Sequence, residues 1–282
     1  SLPLAANARQ AWHADGGVWR AGERRTEHAT HIPGSPCRSR FQKPKPVRAG
    51  LRRGRATANA TWGNAASVLV GDFLHSRAFE MMVEIGNLEV MGLLSKATNG
   101  IAEGEVQQLT YLRNPDISEA MYFDVIYRKT ALLFEVAAHS GVALSGADSH
   151  VKIALQIYGK ELGIAFQLMD DVLDYEGKTG ELGKNVGDDL AEGKVTLPLI
   201  IALASGSRDQ HALIRSAITD AEAEPDFEAI IEAVRLSGGI DRTIGQAQQH
   251  RDLALDQLNM IDGSPFKTAL SQLICLSVDR QT

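Results

Sequence analysis

Apolar residues recur at three- and four-residue intervals along most of the chain, the spacing that lines one face of a helix. The pattern predicts helices over Ala65–Thr98, Ser118–Gly141, Asp148–Tyr175, Leu197–Ala204, Gln210–Ala221, Phe227–Ser237 and Ile240–Met260. Strand-like alternation competes nowhere. Ordinary punctuation bounds the segments: Asn114-Pro115-Asp116 and Ser118 before one, Gly141 after it, Gly177 and Gly180 after the next, and Gly238-Gly239 later. Two stretches, 65–94 and 150–175, are apolar around much of their circumference, which predicts central helices wrapped by others. The fold class is therefore all-α, a helical bundle without internal repeats.

This pattern starts abruptly at Leu51. Residues 1–50 scatter Gly, Pro, Arg and His without any period, as in HIPGSPCRSRFQKPKPVRAG, and are expected to be a poorly ordered segment apart from a domain spanning 51–282. Charge divides in the same place. Residues 1–55 carry twelve Lys and Arg against three Asp and Glu, whereas 56–282 carry seventeen against thirty-two. A basic start raises a transit peptide or a nucleic-acid arm, but it has few periodic apolar positions and no aromatic-rich basic repeat, so no nucleic-acid partner is expected.

The whole chain, 282 residues with 44% hydrophobic and 23% charged, has room for one large core. Its most apolar stretch, Val195 to Ala204, is short and contains Pro198, so no membrane span is expected. Cys37 and Cys275 lie far apart without metal-type spacing, which fits a reducing compartment, the cytoplasm by default.

The sharpest chemical signal is FQLMDDVLDYEG, residues 166–177, three aspartates at the end of an otherwise apolar helix. Asp170 and Asp174 lie one turn apart on one face, and Asp171 is rotated by about 100° beside them. Like charges so placed repel unless a cation neutralises them. A hard divalent ion such as Mg²⁺ takes one or two carboxylates and completes its octahedron with water and phosphate oxygens. A solvated acidic helix end explains the same residues more simply if they stand alone. The following stretch, GKTGELGKNVGDDLAEGK, adds Lys178, Lys184 and Lys194 and the pair Asp188-Asp189. Lysines near a metal-binding carboxylate cluster suit a diphosphate. Arg52-Arg53-Gly54 and Lys129-Thr130 supply further cationic and hydroxyl donors, the latter pair inside an otherwise apolar helix.

From LRRGRATANATWGNAASVLVGDF at residue 51 onward, the chain resembles the trans-isoprenyl diphosphate synthases, most of all the bacterial octaprenyl type whose products become quinone side chains. The resemblance covers about four fifths of the chain and rests on LRRG, NAASVLVGDF, IAEGE, YRKTALLFE, FQLMDDVLDYEG and GKNVGDDLAEGKVTLPL, in that order. It implies an isoprenoid-synthase-type helical bundle, a homodimer, and a Mg²⁺-dependent prenyltransferase joining an allylic diphosphate to isopentenyl diphosphate. By motif position it implies Asp170, Asp171 and Asp174 as metal ligands and Gln167 facing the allylic substrate. It places Lys129, Thr130, Lys184, Lys194 and Arg52 on the allylic diphosphate and Arg53 on isopentenyl diphosphate. Asp170, Asp171 and Lys129 would carry the catalysis.

The sequence also departs from that pattern. The family has a first aspartate-rich motif shortly before the paired arginines, where this chain reads FQKPKPVRAG, with no acidic residue. Residues 1–50 match neither the family's Gly-Lys-Arg segment for isopentenyl diphosphate nor the residues that set product length. The pattern thus implies first helices missing or replaced, through a reading-frame or fusion artefact. It also implies weak or absent turnover, since one charge-stabilising contact is worth about a hundredfold or more. A non-catalytic partner subunit, pairing through the helices near 65–98, is the alternative. Terpene cyclisation fits less well, because LRRG and YRKT suit two diphosphate substrates and a cyclase handles one.

Overall fold

A computed structural model describes residues 51–52, 55–176, 187–220 and 226–280. The expected segment 1–50, together with Arg53, Lys178 and Lys184, lies outside the described residues. A two-residue ladder pairs β1 (Leu51–Arg52) antiparallel with β2 (Arg55–Ala56). The rest is helical: α1 (Ala58–Ile85), α2 (Leu88–Tyr111), α3 (Glu119–Ile126), a π turn (Tyr127–Ala131), α4 (Leu132–Ser145), α5 (Ser149–Glu176), α6 (Asp188–Ala191), α7 (Leu197–Ser205), α8 (Arg208–Thr219), α9 (Phe227–Leu236), α10 (Gly239–Leu258) and α11 (Pro265–Asp279).

Local chemistry sets most of these boundaries. The Thr57 hydroxyl accepts from the amide of Ala60 and starts α1, and Ser118 and Asn87 start α3 and α2 in the same way. The single helix expected over 65–98 is two helices. Gly86 ends α1 in the left-handed conformation (φ 69°) and donates its amide to the carbonyls of Met82 and Val83, and the Asn87 side chain immediately caps α2. Gly141, read as a stop, is passed by, and Gly146 (φ 68°) ends α4. α11 was not anticipated, although Ser264 caps it and Pro265 occupies its first turn.

α5 is the central helix, as expected, packed between α4 and α10. Tyr158, Leu162, Ala165, Leu168 and Val172 lie on its buried side. Two glycines let α4 and the π turn ride directly on its backbone. A Cβ at Gly159 would lie 2.6 Å from the Phe134 carbonyl oxygen, and one at Gly163 2.5 Å from Ala131 Cα. On the opposite side α2 approaches the π turn as closely, a Cβ at Gly104 falling 2.7 Å from Arg128 Cβ. These close crossings bring polar side chains of α2, the π turn and α5 to one place.

The other helix expected to be central is not. α1 buries only Met82, and Leu69, Phe73 and Leu74 are exposed, because no other described part of the chain packs over that face. None of the described helices is long and apolar enough to cross a membrane.

Candidate active site

The C-terminal half of α5 forms one wall of a cavity of about 230 Å³. Its polar lining comes from Gln108, Lys129, Gln167, Asp170, Asp171, Asp189 and Lys194. Its apolar lining comes from Tyr111, Leu112, Ile117, Val125, Ile126 and Val195. Elements distant in sequence thus bring five of the expected site residues to one surface: Lys129, Gln167, Asp170, Asp171 and Lys194.

The π turn carries both Lys129, which lines the cavity, and Thr130, whose hydroxyl reaches Gln167 on α5. Glu135 braces the turn from behind. One oxygen accepts from the Tyr127 hydroxyl (3.0 Å), the other from the Gln156 amide (2.7 Å); burial, together with the bond to Glu135, pushes the Tyr127 hydroxyl up to about 12. The Lys129 ammonium donates to Gln108 Oε1 at 2.7 Å and pairs with Glu105 at 3.3 Å, both on α2. The charge inside an apolar stretch therefore has partners across the helix crossing.

Thr130 begins a chain of hydrogen bonds that ends on the aspartates. Its hydroxyl donates to Gln167 Oε1 (2.8 Å), which orients the amide so that Gln167 Nε2 donates to Asp171 Oδ1 (2.8 Å). The buried Tyr122 hydroxyl donates to the other oxygen, Oδ2. Asp171 is 2% exposed, and burial, reinforced by the nearby charges of Asp189 and Asp170, raises its carboxyl above the usual carboxylate range despite these two bonds. Asp170 differs: its side chain is 42% exposed, it faces the cavity, and its nearest cation is Arg280 at 3.6 Å. Arg280 lies over the Phe166 ring, 4.2 Å from its centroid, and donates to the Phe166 carbonyl (3.0 Å).

Asp174 stands apart from the other two aspartates. It does not line the cavity. Its Oδ2 accepts from the Asp189 amide (3.2 Å) and its carbonyl from the Gly187 amide (2.9 Å), so it ties the segment starting at Gly187 to α5. That segment returns Lys194 to the cavity, where it pairs with Asp189 (2.8 Å) and Glu192 (2.6 Å). Burial by itself would lower Lys194, but these two carboxylates outweigh it and hold the ammonium above the ordinary lysine range. Of the remaining expected residues, Arg52 has only its backbone described, in β1, and Arg53, Lys178 and Lys184 lie outside the described residues.

Among the described residues no three His, Cys, Asp or Glu side chains converge as a ligand cluster. A divalent ion whose shell is completed by water and phosphate oxygens needs only one or two carboxylates. The donor set fits such an ion: it is all oxygen, and Asp170 is open to the cavity. The crowding of Asp170, Asp171 and Asp189 leaves negative charge that a cation relieves.

Sequence reasoning missed Gln108, Tyr122 and Arg280, and named Asp189 without a role. Gln108 had a weak signal, one turn after Glu105 in IAEGEVQQL. Tyr122 and Arg280 had none, because each meets its aspartate only through the tertiary fold.

The family model described as polyprenyl synthetase matches residues 48–234. The octaprenyl diphosphate synthase of Haemophilus influenzae is 48% identical over 230 residues, covering 82% of this chain and 70% of that protein. Its Escherichia coli counterpart is 47% identical over 230 residues, covering 82% and 71%. A solved polyprenyl synthase from Caulobacter crescentus, complexed with calcium and isoprenyl diphosphate, superposes with a TM-score of 0.78 at 43% identity, covering 83% of this chain and 71% of that one. An all-helical fold, an oxygen-rich cavity between α2, the π turn and α5, and identity of this extent lead to one assignment: the chain belongs to the polyprenyl synthetase family.

Proposed function

We propose that this chain is a trans-polyprenyl diphosphate synthase: it elongates an allylic diphosphate with isopentenyl diphosphate to a long-chain all-trans polyprenyl diphosphate, a quinone side-chain precursor. The observation that carries the reading is one cavity lined both by Asp170, Asp171, Lys129 and Lys194 and by the apolar Ile117, Val125, Ile126 and Val195. A diphosphate head and an isoprenoid tail need these two environments side by side.

The residues divide the work by charge and by polarity. Asp170, open to the cavity, and by the family's motif positions Asp171 and Asp174 would hold Mg²⁺, which would supply positive charge to stabilise the departing diphosphate. Lys129 and Lys194 add fixed charges there, and Lys194 remains an ammonium at any working pH. Thr130 and Gln167 hold Asp171 and present hydrogen bonds to the substrate head. Ile117, Val125 and Ile126 keep water from the allylic carbocation until the isopentenyl double bond attacks it and a proton passes to the released diphosphate. By the family's motif positions, Arg52 and Lys184 join the allylic diphosphate and Arg53 binds isopentenyl diphosphate.

A second copy of the chain is the partner proposed for α1, whose exposed Leu69, Phe73 and Leu74 form an apolar face of the kind that marks an interface. A non-catalytic partner role is not favoured, because the relatives at 47 to 48% identity are octaprenyl diphosphate synthases.

The test is incorporation of radiolabelled isopentenyl diphosphate into a lipophilic product with Mg²⁺ and an allylic diphosphate. The acid-free stretch 41–50 predicts slow turnover, so long incubations with excess enzyme are required. Asp170→Ala is expected to lower the rate by about a hundredfold or more. Its melting temperature should stay within a degree or two, as its side chain is partly exposed. Incorporation that survives Asp170→Ala, or needs no divalent metal, overturns the proposal.

A further inference from the structure

Arg113 is the only non-glycine among the described residues with a positive φ, 58°. That conformation places Cβ against the backbone and is uncommon for a long side chain. Strain of this kind persists where surrounding contacts determine it, and it concentrates at functional sites. The contacts of Arg113 are specific. Its amide donates to the Gly193 carbonyl at 2.7 Å. Its alkyl stem lies on Gly193, itself left-handed at φ 82°, where a Cβ would fall 2.7 Å from Arg113 Cγ. Its guanidinium adds long hydrogen bonds to the carbonyls of Ala191 (3.4 Å) and Ile218 (3.5 Å), at the ends of α6 and α8.

The neighbours of this contact line the cavity from two separate segments of the chain. Tyr111 and Leu112, just before Arg113, line it from the end of α2, and Lys194 and Val195, just after Gly193, line it from the segment that follows α6. We infer that Arg113 is a positioning residue: it clasps the segment bearing Asp189 and Lys194 to the end of α2 and so sets the distance between the two walls. The 2.7 Å amide bond is the firm link, the alkyl stem prevents Gly193 from sliding, and the two guanidinium bonds keep the stem in place. Asp174 anchors the other end of the same segment through Gly187 and Asp189. The segment is therefore tied at both ends, to α5 and to α2, with Lys194 beside the second tie.

This inference rests on the proposed function for its kinetic consequence and on the fold alone for its structural one, so two readouts separate them. Arg113→Asn tolerates the left-handed backbone and removes the stem and guanidinium. Its melting temperature is expected to equal or exceed that of the unmodified chain. The KM for the allylic diphosphate should rise about tenfold, with kcat changed less than threefold. Arg113→Lys keeps the stem and should restore most of the KM. Amide hydrogen exchange, followed by mass spectrometry on the full chain, should quicken at least tenfold in peptides covering 189–196 for Arg113→Asn, with α5 unaffected. Gly193→Ala, which breaks the same contact from the other side, should give the same local change. Unaltered exchange in both variants overturns the clasp, whether or not the enzyme turns over. Altered exchange with KM unmoved leaves a structural tie and overturns the positioning role. Failure of the unmodified chain to incorporate isopentenyl diphosphate sinks the proposed function, and the exchange result then decides the clasp by itself.

Discussion

α1 and α5 are each 28 residues long and both are rich in apolar side chains, yet they sit in opposite environments. α5 is enclosed by α4, α10, α11 and the π turn and buries residues around most of its circumference, two carboxylates of the aspartate-rich motif included. α1 touches little beyond α2 and leaves Leu69 at 67% and Phe73 at 65% exposure. Apolar content alone therefore does not make a helix central. What distinguishes α5 is its small residues: Gly159 and Gly163 let neighbouring backbones close in, and close approach is what buries the larger side chains on either side. α1 has glycines as well, Gly63 and Gly71, but a Cβ added at either would meet no neighbouring element within 4 Å among the described residues.

The contrast breaks most sharply on truncation. Leu168→Ala on α5 removes a side chain that is 0% exposed and is expected to cost about 3 kcal/mol, by the combined loss of burial and creation of a cavity. Leu69→Ala on α1 should cost less than about 0.5 kcal/mol in the dissociated chain. If α1 is the face that a second copy covers, the same change should weaken self-association severalfold, read by sedentation-free light scattering across a dilution series. Equal stability losses for the two variants in denaturant titrations of the dissociated chain end the comparison.

A smaller effect sharpens it. Gly163→Ala adds one methyl group where Ala131 Cα already stands 2.5 Å from the position it would take. Overpacking of this kind costs about 1 to 3 kcal/mol. Because Ala131 closes the π turn, the change should also shift Lys129 and Thr130 and lower turnover by more than the loss of folded protein explains. Gly71→Ala on α1 meets nothing and should be neutral or slightly stabilising, as the helix interior prefers alanine. Denaturant midpoints and specific activity of the two variants, measured side by side, give the answer.

The smallest effect concerns charge. α5 also buries Glu161, which contacts His250 of α10 and, at 3.5 Å, Lys160. Burial pushes the Glu161 carboxyl up, but its bond to His250 and the neighbouring positive charge outweigh that and hold it below its ordinary value. With the folded pKa below the unfolded one, the unfolded chain binds more protons in that window, so stability rises with pH. The contribution is present above roughly pH 4.5, the unfolded range of a glutamate, and is lost as pH falls through the depressed folded value. Glu161→Gln is expected to cost about 1 kcal/mol at neutral pH and to flatten the acid limb of the stability profile. An acid limb of unchanged slope, followed by denaturant titration at successive pH values, rules the pair out as its source.

Local codes were legible at the level where they act. Thr57, Asn87, Ser118, Ser207 and Ser264 each accept from a first-turn amide, and the Gly86-Asn87 pair that separates α1 from α2 was readable although the periodic pattern ran through it. The aspartate-rich end of α5 and its lysine-bearing continuation were equally visible, because their spacing within one helix and one short connection is a local property.

The sequence by itself determined the helical class and the chemical character of the aspartates that end α5, since periodicity, caps and charge spacing are carried by residues a turn or two apart. Only the tertiary structure decided that Asp174 leaves the cavity to hold the Gly187 segment, that Tyr122 and Gln167 occupy both oxygens of Asp171, and that Arg113 meets Gly193. It also decided that α1 presents its apolar side outward. Each of these depends on which backbones can approach one another across many intervening residues, and the small side chains that permit such approach look alike in sequence whether or not a neighbour arrives.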